Sequence, residues 1–125
     1  MRTLLLVDDE LENLSCLGEL LHRLGYAVIT KPDAQSALTV FEKNVPVDLV
    51  ITDYRMPGMD GLEFLLCLKQ TAPAVPVIML TGYGEVETYL KSISLGVFEF
   101  VHKPVRVKEL DRIVKAALRK SMQGT

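Results

Sequence analysis

Four short segments of this 125-residue chain carry side chains able to handle a phosphoryl group: Asp8-Asp9-Glu10, Asp53, Thr81-Gly82 and His102-Lys103-Pro104. Carboxylates gathered in a partly desolvated crevice repel one another, and at least one pKa rises unless cations compensate. Lys103 supplies one positive charge. A hard divalent cation supplies two, and Mg²⁺ favours few carboxylates, retained waters and phosphate oxygens. An Asp carboxylate is a known type of phosphoryl acceptor. Transfer to it depends mostly on positioning and charge neutralisation. The Thr81 hydroxyl and Lys103 ammonium are of the kinds that hydrogen-bond phosphoryl oxygens.

Each of these segments follows a short apolar run that reads as a strand: Thr3 to Val7, Asp48 to Thr52, Val75 to Leu80 and Phe98 to Val101, with a further strand at Tyr26 to Thr30. Between them lie segments of helical period. Leu11, Leu14, Leu17, Leu21 and Leu24 form one stripe that Gly25 can end. Ala34, Ala37, Leu38 and Phe41 form a second, with Asp33 as its N-cap. Asp60 and Glu63 resemble a capping pair that opens a third helix, running to about Lys69. Val86, Tyr89, Leu90 and Ile93 mark a fourth, closed by Gly96, and Leu110, Ile113, Val114, Ala117 and Leu118 mark the last. Strands with little polar alternation, separated by helices, mean a parallel sheet covered on both faces. Right-handed crossovers narrow this to a doubly wound five-stranded α/β fold. In such a sheet all strand C-termini share one edge, where ligands bind, so the four polar segments converge there.

Composition narrows the classes. With 49% apolar and 24% charged residues the chain is a globular domain, and one domain's worth in length. Fourteen basic against sixteen acidic residues leave a net charge of −2, which removes the electrostatic reason for nonspecific nucleic-acid binding. No apolar run is long enough to span a bilayer, and the N-terminus lacks the marks of a signal peptide. Cys16 and Cys67 show no metal-ligand spacing, so the expectation is a reduced, cytoplasmic protein. His22 and His102 likewise suggest no catalytic or metal role, and strand alternation is expected to turn His102 away from the site.

The segments LLLVDDE, VDLVITDYRMPGMDGLEF, VPVIMLTGYG and FEFVHKPV together resemble the receiver domain of bacterial two-component response regulators, from about Leu4 to Arg119. The resemblance implies a flavodoxin-like (βα)5 fold with sheet order 2-1-3-4-5. It implies that Asp53 is the phosphoacceptor and that Asp8 and Asp9 hold Mg²⁺, for which Mn²⁺ can substitute. The metal would also be held by Asp53 and the backbone carbonyl of Arg55. Thr81 would bind a phosphoryl oxygen and reposition on activation, Lys103 would pair with the phosphoryl charge, and Phe100 would be the switch aromatic. Lys103-Pro104 falls where the family carries a cis peptide bond. A sensor histidine kinase or phosphotransfer protein would supply the phosphoryl group, and the domain would catalyse its own phosphorylation and slow hydrolysis. A downstream output domain or protein would be met through the surface of the fourth helix, fifth strand and fifth helix, which also serves homodimers. Neither nucleic acid nor membrane is an expected direct partner.

Phe100 departs from the commoner Tyr, leaving packing as the means of switching, while Arg55 and Tyr83 stand where side chains tune water access to the phosphoryl group. TGYGEVE is similar to receivers attached to transcriptional regulators. The receiver is expected over residues 1–121, with 122–125 as a short tail and no output domain in this chain, so a stand-alone regulator and an excised receiver both fit. Lys108, Arg112, Lys115, Arg119 and Lys120 lie opposite the last apolar stripe, as a solvated face or a partner surface.

Rival chemistries fit the residues less well. A haloacid-dehalogenase-like phosphatase needs a second Asp two positions after the nucleophile, where this chain has Arg55. A flavodoxin cradles phosphate in the first loop, where Asp8-Asp9-Glu10 would repel it. The remaining alternative is an unphosphorylated pseudo-receiver that acts as a protein-interaction module.

Overall fold

The computed structural model describes residues 1–82 and 96–123. Its elements are β1 (Thr3–Val7), α1 (Leu11–Arg23), β2 (Ala27–Lys31), α2 (Ala34–Glu42), β3 (Leu49–Asp53), α3 (Gly61–Thr71), β4 (Val77–Thr81), β5 (Glu99–His102) and α4 (Val107–Gln123). The helix expected over Val86 to Ile93, and Tyr83 with it, lies outside the described residues. All strand pairs are parallel, in the order β2-β1-β3-β4-β5. That is the doubly wound, flavodoxin-like sheet.

Strand alternation splits the core into two layers. Leu4, Leu6, Leu49, Ile51, Ile78, Leu80 and Val101 pack on one face with α1 and α4. Leu5, Val7, Val50, Val77, Met79 and Phe100 pack on the other with α2 and α3. β1, β3 and β4 are the central strands and have no solvent-facing side, which explains their unbroken apolar sequences. Each fully buried aliphatic side chain contributes about 1.5–3 kcal/mol relative to exposure.

Several boundaries differ from the sequence reading. β2 through β5 each end one residue further along than expected. β3 also starts one residue later, at Leu49, because Asp48 is a loop residue whose carboxylate accepts from Thr3 N at 2.8 Å, while its own N–H donates to Thr3 O at 2.8 Å. Leu11 and Leu24 do not join the buried stripe of α1, at 69% and 42% exposure: Leu11 is the first residue of the helix and Leu24 is its C-cap, one position beyond the helix. Leu14 and Leu21 are buried as expected. α4 runs to Gln123.

The helix starts follow local chemistry. Asp33 accepts from Ser36 N at 2.7 Å at the head of α2. Asp60 and Glu63 form a reciprocal capping box at the head of α3. Among the described residues no helix is long and apolar enough to cross a membrane.

Candidate functional site: an acidic pocket at the strand ends

Strand parity and position decide what meets at the C-terminal edge. Asp8 continues the side of β1 that carries Leu4 and Leu6, Asp53 the side of β3 that carries Leu49 and Ile51, and Lys103 the side of β5 that carries Val101. All three lie on the layer of α1 and α4. Asp53 is 6% exposed and Asp8 3%. Lys103 Nζ lies 3.0 Å from Asp53 Oδ2, and Asp53 Oδ1 accepts from Tyr54 N at 3.0 Å. Asp8 Oδ1 accepts from Glu10 N at 2.9 Å. Asp8, Asp9 and Asp53 each offer a carboxylate oxygen, and the three lie within 4.8 Å of one another. Neither Asp8 nor Asp9 caps α1, whose N-cap is Glu10 with no side-chain cap bond.

Burial pushes the Asp8 carboxyl above its ordinary range, opposed by the Glu10 N–H and the Lys103 charge. Burial also raises Asp53, opposed by the hydrogen bond and charge of Lys103. For Lys103, burial works to lower the pKa, but the hydrogen bond and charge of Asp53, helped by Asp8 and Glu10, outweigh it and raise it. Three carboxylates thus converge beside the single Lys103 ammonium.

The loop after β3 aims the acceptor. Met56 is buried, Gly58 takes φ 82°, and Gly61 N donates to Tyr54 O at 2.7 Å. A Cβ on Gly61 would sit 2.8 Å from Tyr54 Cα and 3.0 Å from Asp53 O, against backbone that cannot rotate away. Gly61→Ala is therefore expected to lower stability by about 2 kcal/mol, within the range for strained substitutions. Denaturant unfolding checks this, and a midpoint equal to wild type would contradict the close approach.

Two hollows flank the acids. One of about 510 Å³ runs from Asp8 and Lys103 along Asn13, Cys16, Leu17 and Leu20 to Val105 and Val107. The other, about 500 Å³, joins Asp9, Tyr54, Arg55, Met56, Pro57 and Asp60. The Lys103-Pro104 peptide bond is cis, and Lys103 N donates to Thr81 O at 2.7 Å.

Thr81 lies elsewhere by parity. It follows Val77 and Met79 on the α2–α3 layer, opposite to Asp53. Its Oγ1 lies 3.4 Å from His102 Nδ1. Phe100 is 8% exposed on the same layer, its ring centroid 6.0 Å from that of His102. Alternation does turn His102 away from Lys103, as the sequence suggests. It turns it toward Thr81 and Phe100, which sequence reasoning missed. The signal lay in the β4–β5 register, which pairs Thr81 with His102 and Met79 with Phe100.

A doubly wound parallel sheet that gathers an aspartate pair, a strand-end aspartate and a lysine at one edge defines the receiver class of domain. The chain belongs to the response regulator receiver domain family, whose model matches residues 4–115. It is 38% identical over 122 residues to the transcriptional regulatory protein GlrR of Escherichia coli, covering 98% of this chain and 27% of the relative. It is 37% identical over 121 residues to the transcriptional regulatory protein CpxR of Escherichia coli, covering 97% and 51%. The chain thus spans about a quarter to a half of the length of these relatives. Among solved structures, a response regulator receiver domain protein from Clostridium thermocellum matches with TM-score 0.96 at 30% identity, covering all of both chains. A CheY-like receiver domain protein from Methanospirillum hungatei matches with TM-score 0.94 at 28% identity, covering 100% and 99%. Family membership places the chain in two-component phosphorelay signalling and disfavours the pseudo-receiver reading.

Proposed function

We propose that Asp53 accepts a phosphoryl group from a phosphohistidine on a sensor kinase or phosphotransfer protein. The observation that supports this most directly is the buried Asp53 carboxylate, 3.0 Å from Lys103 Nζ and beside Asp8 and Asp9. One Asp53 oxygen attacks phosphorus, the donor's N–P bond breaks, and the imidazole leaves with the bonding electron pair and takes up a proton. Lys103 favours the ionised form of Asp53 before transfer, against the effect of burial, and faces the added charge afterwards. The Tyr54 N–H orients the carboxylate.

The donor set suits a hard divalent cation, because three carboxylates within 4.8 Å present oxygen alone. Asp8, Asp9 and Asp53, with the Arg55 carbonyl, would hold Mg²⁺ or Mn²⁺. When bound, the ion supplies charge neutralisation for the carboxylates and phosphoryl oxygens. On this reading Thr81 and Phe100 change position in response to phosphorylation and alter the surface around β5 and α4. The basic residues of α4 are exposed there, with Lys120 Nζ 5.7 Å from the Phe98 ring centroid and Lys115 paired to Asp111 at 3.0 Å. An output domain or protein, or a second copy of the chain, would read that surface. The same reading makes this chain the receiver unit of a cytoplasmic signalling protein.

Mass spectrometry after incubation with Mg²⁺ and a small acyl phosphate tests the proposal. Wild type is expected to gain one phosphoryl group, Asp53→Asn none, and wild type with a chelator far less. No gain on wild type would return the pseudo-receiver to first place.

A further inference from the structure

We propose that His102 is a positioning residue that latches the resting state, holding the Thr81 hydroxyl on the α2–α3 side of the sheet. The inference rests on the reading that Thr81 serves a phosphoryl group on Asp53. Asp53, Asp8 and Lys103 project to the α1–α4 layer, whereas Thr81, Phe100 and His102 project to the other. To touch a group on Asp53, the Thr81 hydroxyl must leave its own layer and pass over the sheet edge. In the resting arrangement it has a partner at 3.4 Å, His102 Nδ1. The hydroxyl donates when Nδ1 is bare and accepts when Nδ1 carries the proton.

The same imidazole lies against Phe100, with centroids 6.0 Å apart and ring planes at 51°. Thr81 and Phe100 therefore both contact one ring, and movement of either removes a contact from it. His102 is itself exposed, so it contributes little to the core and can vary without threatening the fold. A phosphoryl group shifts a two-state equilibrium only by its differential contacts, and every contact special to the resting state opposes that shift. The His102–Thr81 bond is such a contact. Its length places it at the weak end of neutral hydrogen bonds, about a threefold effect on an equilibrium constant.

Titration with beryllofluoride, a phosphoryl mimic, in the presence of Mg²⁺ tests the latch. His102→Ala is expected to bind it about threefold more tightly than wild type. His102→Asn, which keeps a polar atom where Nδ1 stands, is expected to stay close to wild type. In a Thr81→Val background the His102→Ala change is expected to lose its effect, since the bond is already gone. An NMR correlation on the imidazole nitrogens adds a readout that needs no ligand: the Nδ1 shift of His102 is expected to change in Thr81→Val. Equal affinity of wild type and His102→Ala, or an unchanged Nδ1 shift, overturns the latch while leaving Asp53 phosphorylation intact. Failure of wild type to bind the mimic at all overturns both readings.

Discussion

Lys103→Met is expected to slow phosphoryl transfer from a small acyl phosphate to Asp53 about a hundredfold while lowering the stability of the metal-free protein. The rate effect follows from geometry. Lys103 Nζ stands 3.0 Å from Asp53 Oδ2, aimed at the carboxylate that receives the phosphoryl group. Removing one preorganised donor from a site of developing charge typically costs about 10²–10³ in rate. Methionine keeps much of the stem's apolar volume, so packing beside Pro104 and Val105 changes little.

The stability effect follows from charge. Without Lys103, the buried Asp53 and Asp8 carboxylates lose their nearby cation, a loss of about 1–2 kcal/mol for a pair partly reached by solvent. The pH dependence has a definite sign. Asp53 raises the folded-state pKa of Lys103 above 10.5, so its contribution is fully present below 10.5. It is lost as pH climbs through the raised value. The gap in unfolding temperature between wild type and Lys103→Met should therefore be steady across neutral pH, close in alkali as Lys103 loses its proton, and close in acid as Asp53 and Asp8 gain theirs. Single-turnover phosphorylation and thermal scans check both halves; a wild-type rate in the variant would remove Lys103 from the transfer step.

How far the chain could be read from sequence depends on which structural variable a residue obeys. Asp8, Asp53 and Lys103 were legible because each follows an apolar strand, and a parallel sheet carries all such ends to one edge. Backbone parity then puts all three on one side of the sheet. The α3 capping box was legible too, since Asp60 and Glu63 satisfy each other within four residues. Leu11 and Leu24 misled because helical period says which face a residue shares and nothing about where the helix begins and ends. Alternation put His102 on the right side of β5, but its neighbours there were not legible. Alternation relative to Lys103 is local, but closeness to Thr81 depends on how β5 is registered against β4, a long-range choice that neither strand encodes alone. Gly61 likewise reads as one more loop glycine until its contact with Tyr54 and Asp53 backbone is visible.

Whereas Lys103→Met lowers rate and stability together, Asp8→Asn is expected to raise the stability of the metal-free protein while weakening Mg²⁺ binding. Asp8 is almost wholly buried, and burial raises its pKa despite the Glu10 N–H and Lys103. An ionised group that the fold holds at a raised pKa subtracts from stability at neutral pH. Asparagine keeps an oxygen to accept from Glu10 N, now 2.9 Å from Asp8 Oδ1, and removes one charge from the repelling cluster. In a chelator-treated sample the variant should gain about 1 kcal/mol, or roughly 4 °C in Tm for a chain of this size. Because the folded pKa lies above 3.8, protonation relieves the wild-type penalty as pH falls through that folded value. The advantage of Asp8→Asn should thus be largest at neutral pH and shrink as pH approaches 3.8. Added Mg²⁺ should reverse the order: losing one of three converging carboxylates is expected to weaken Mg²⁺ binding at least tenfold, and the stabilisation that binding gives wild type falls with it. Thermal scans with chelator and with millimolar Mg²⁺ read both effects on the same samples. If Mg²⁺ stabilises the two proteins equally, Asp8 does not hold the ion; if the chelated variant melts no higher than wild type, the buried charge is not a strain on the fold.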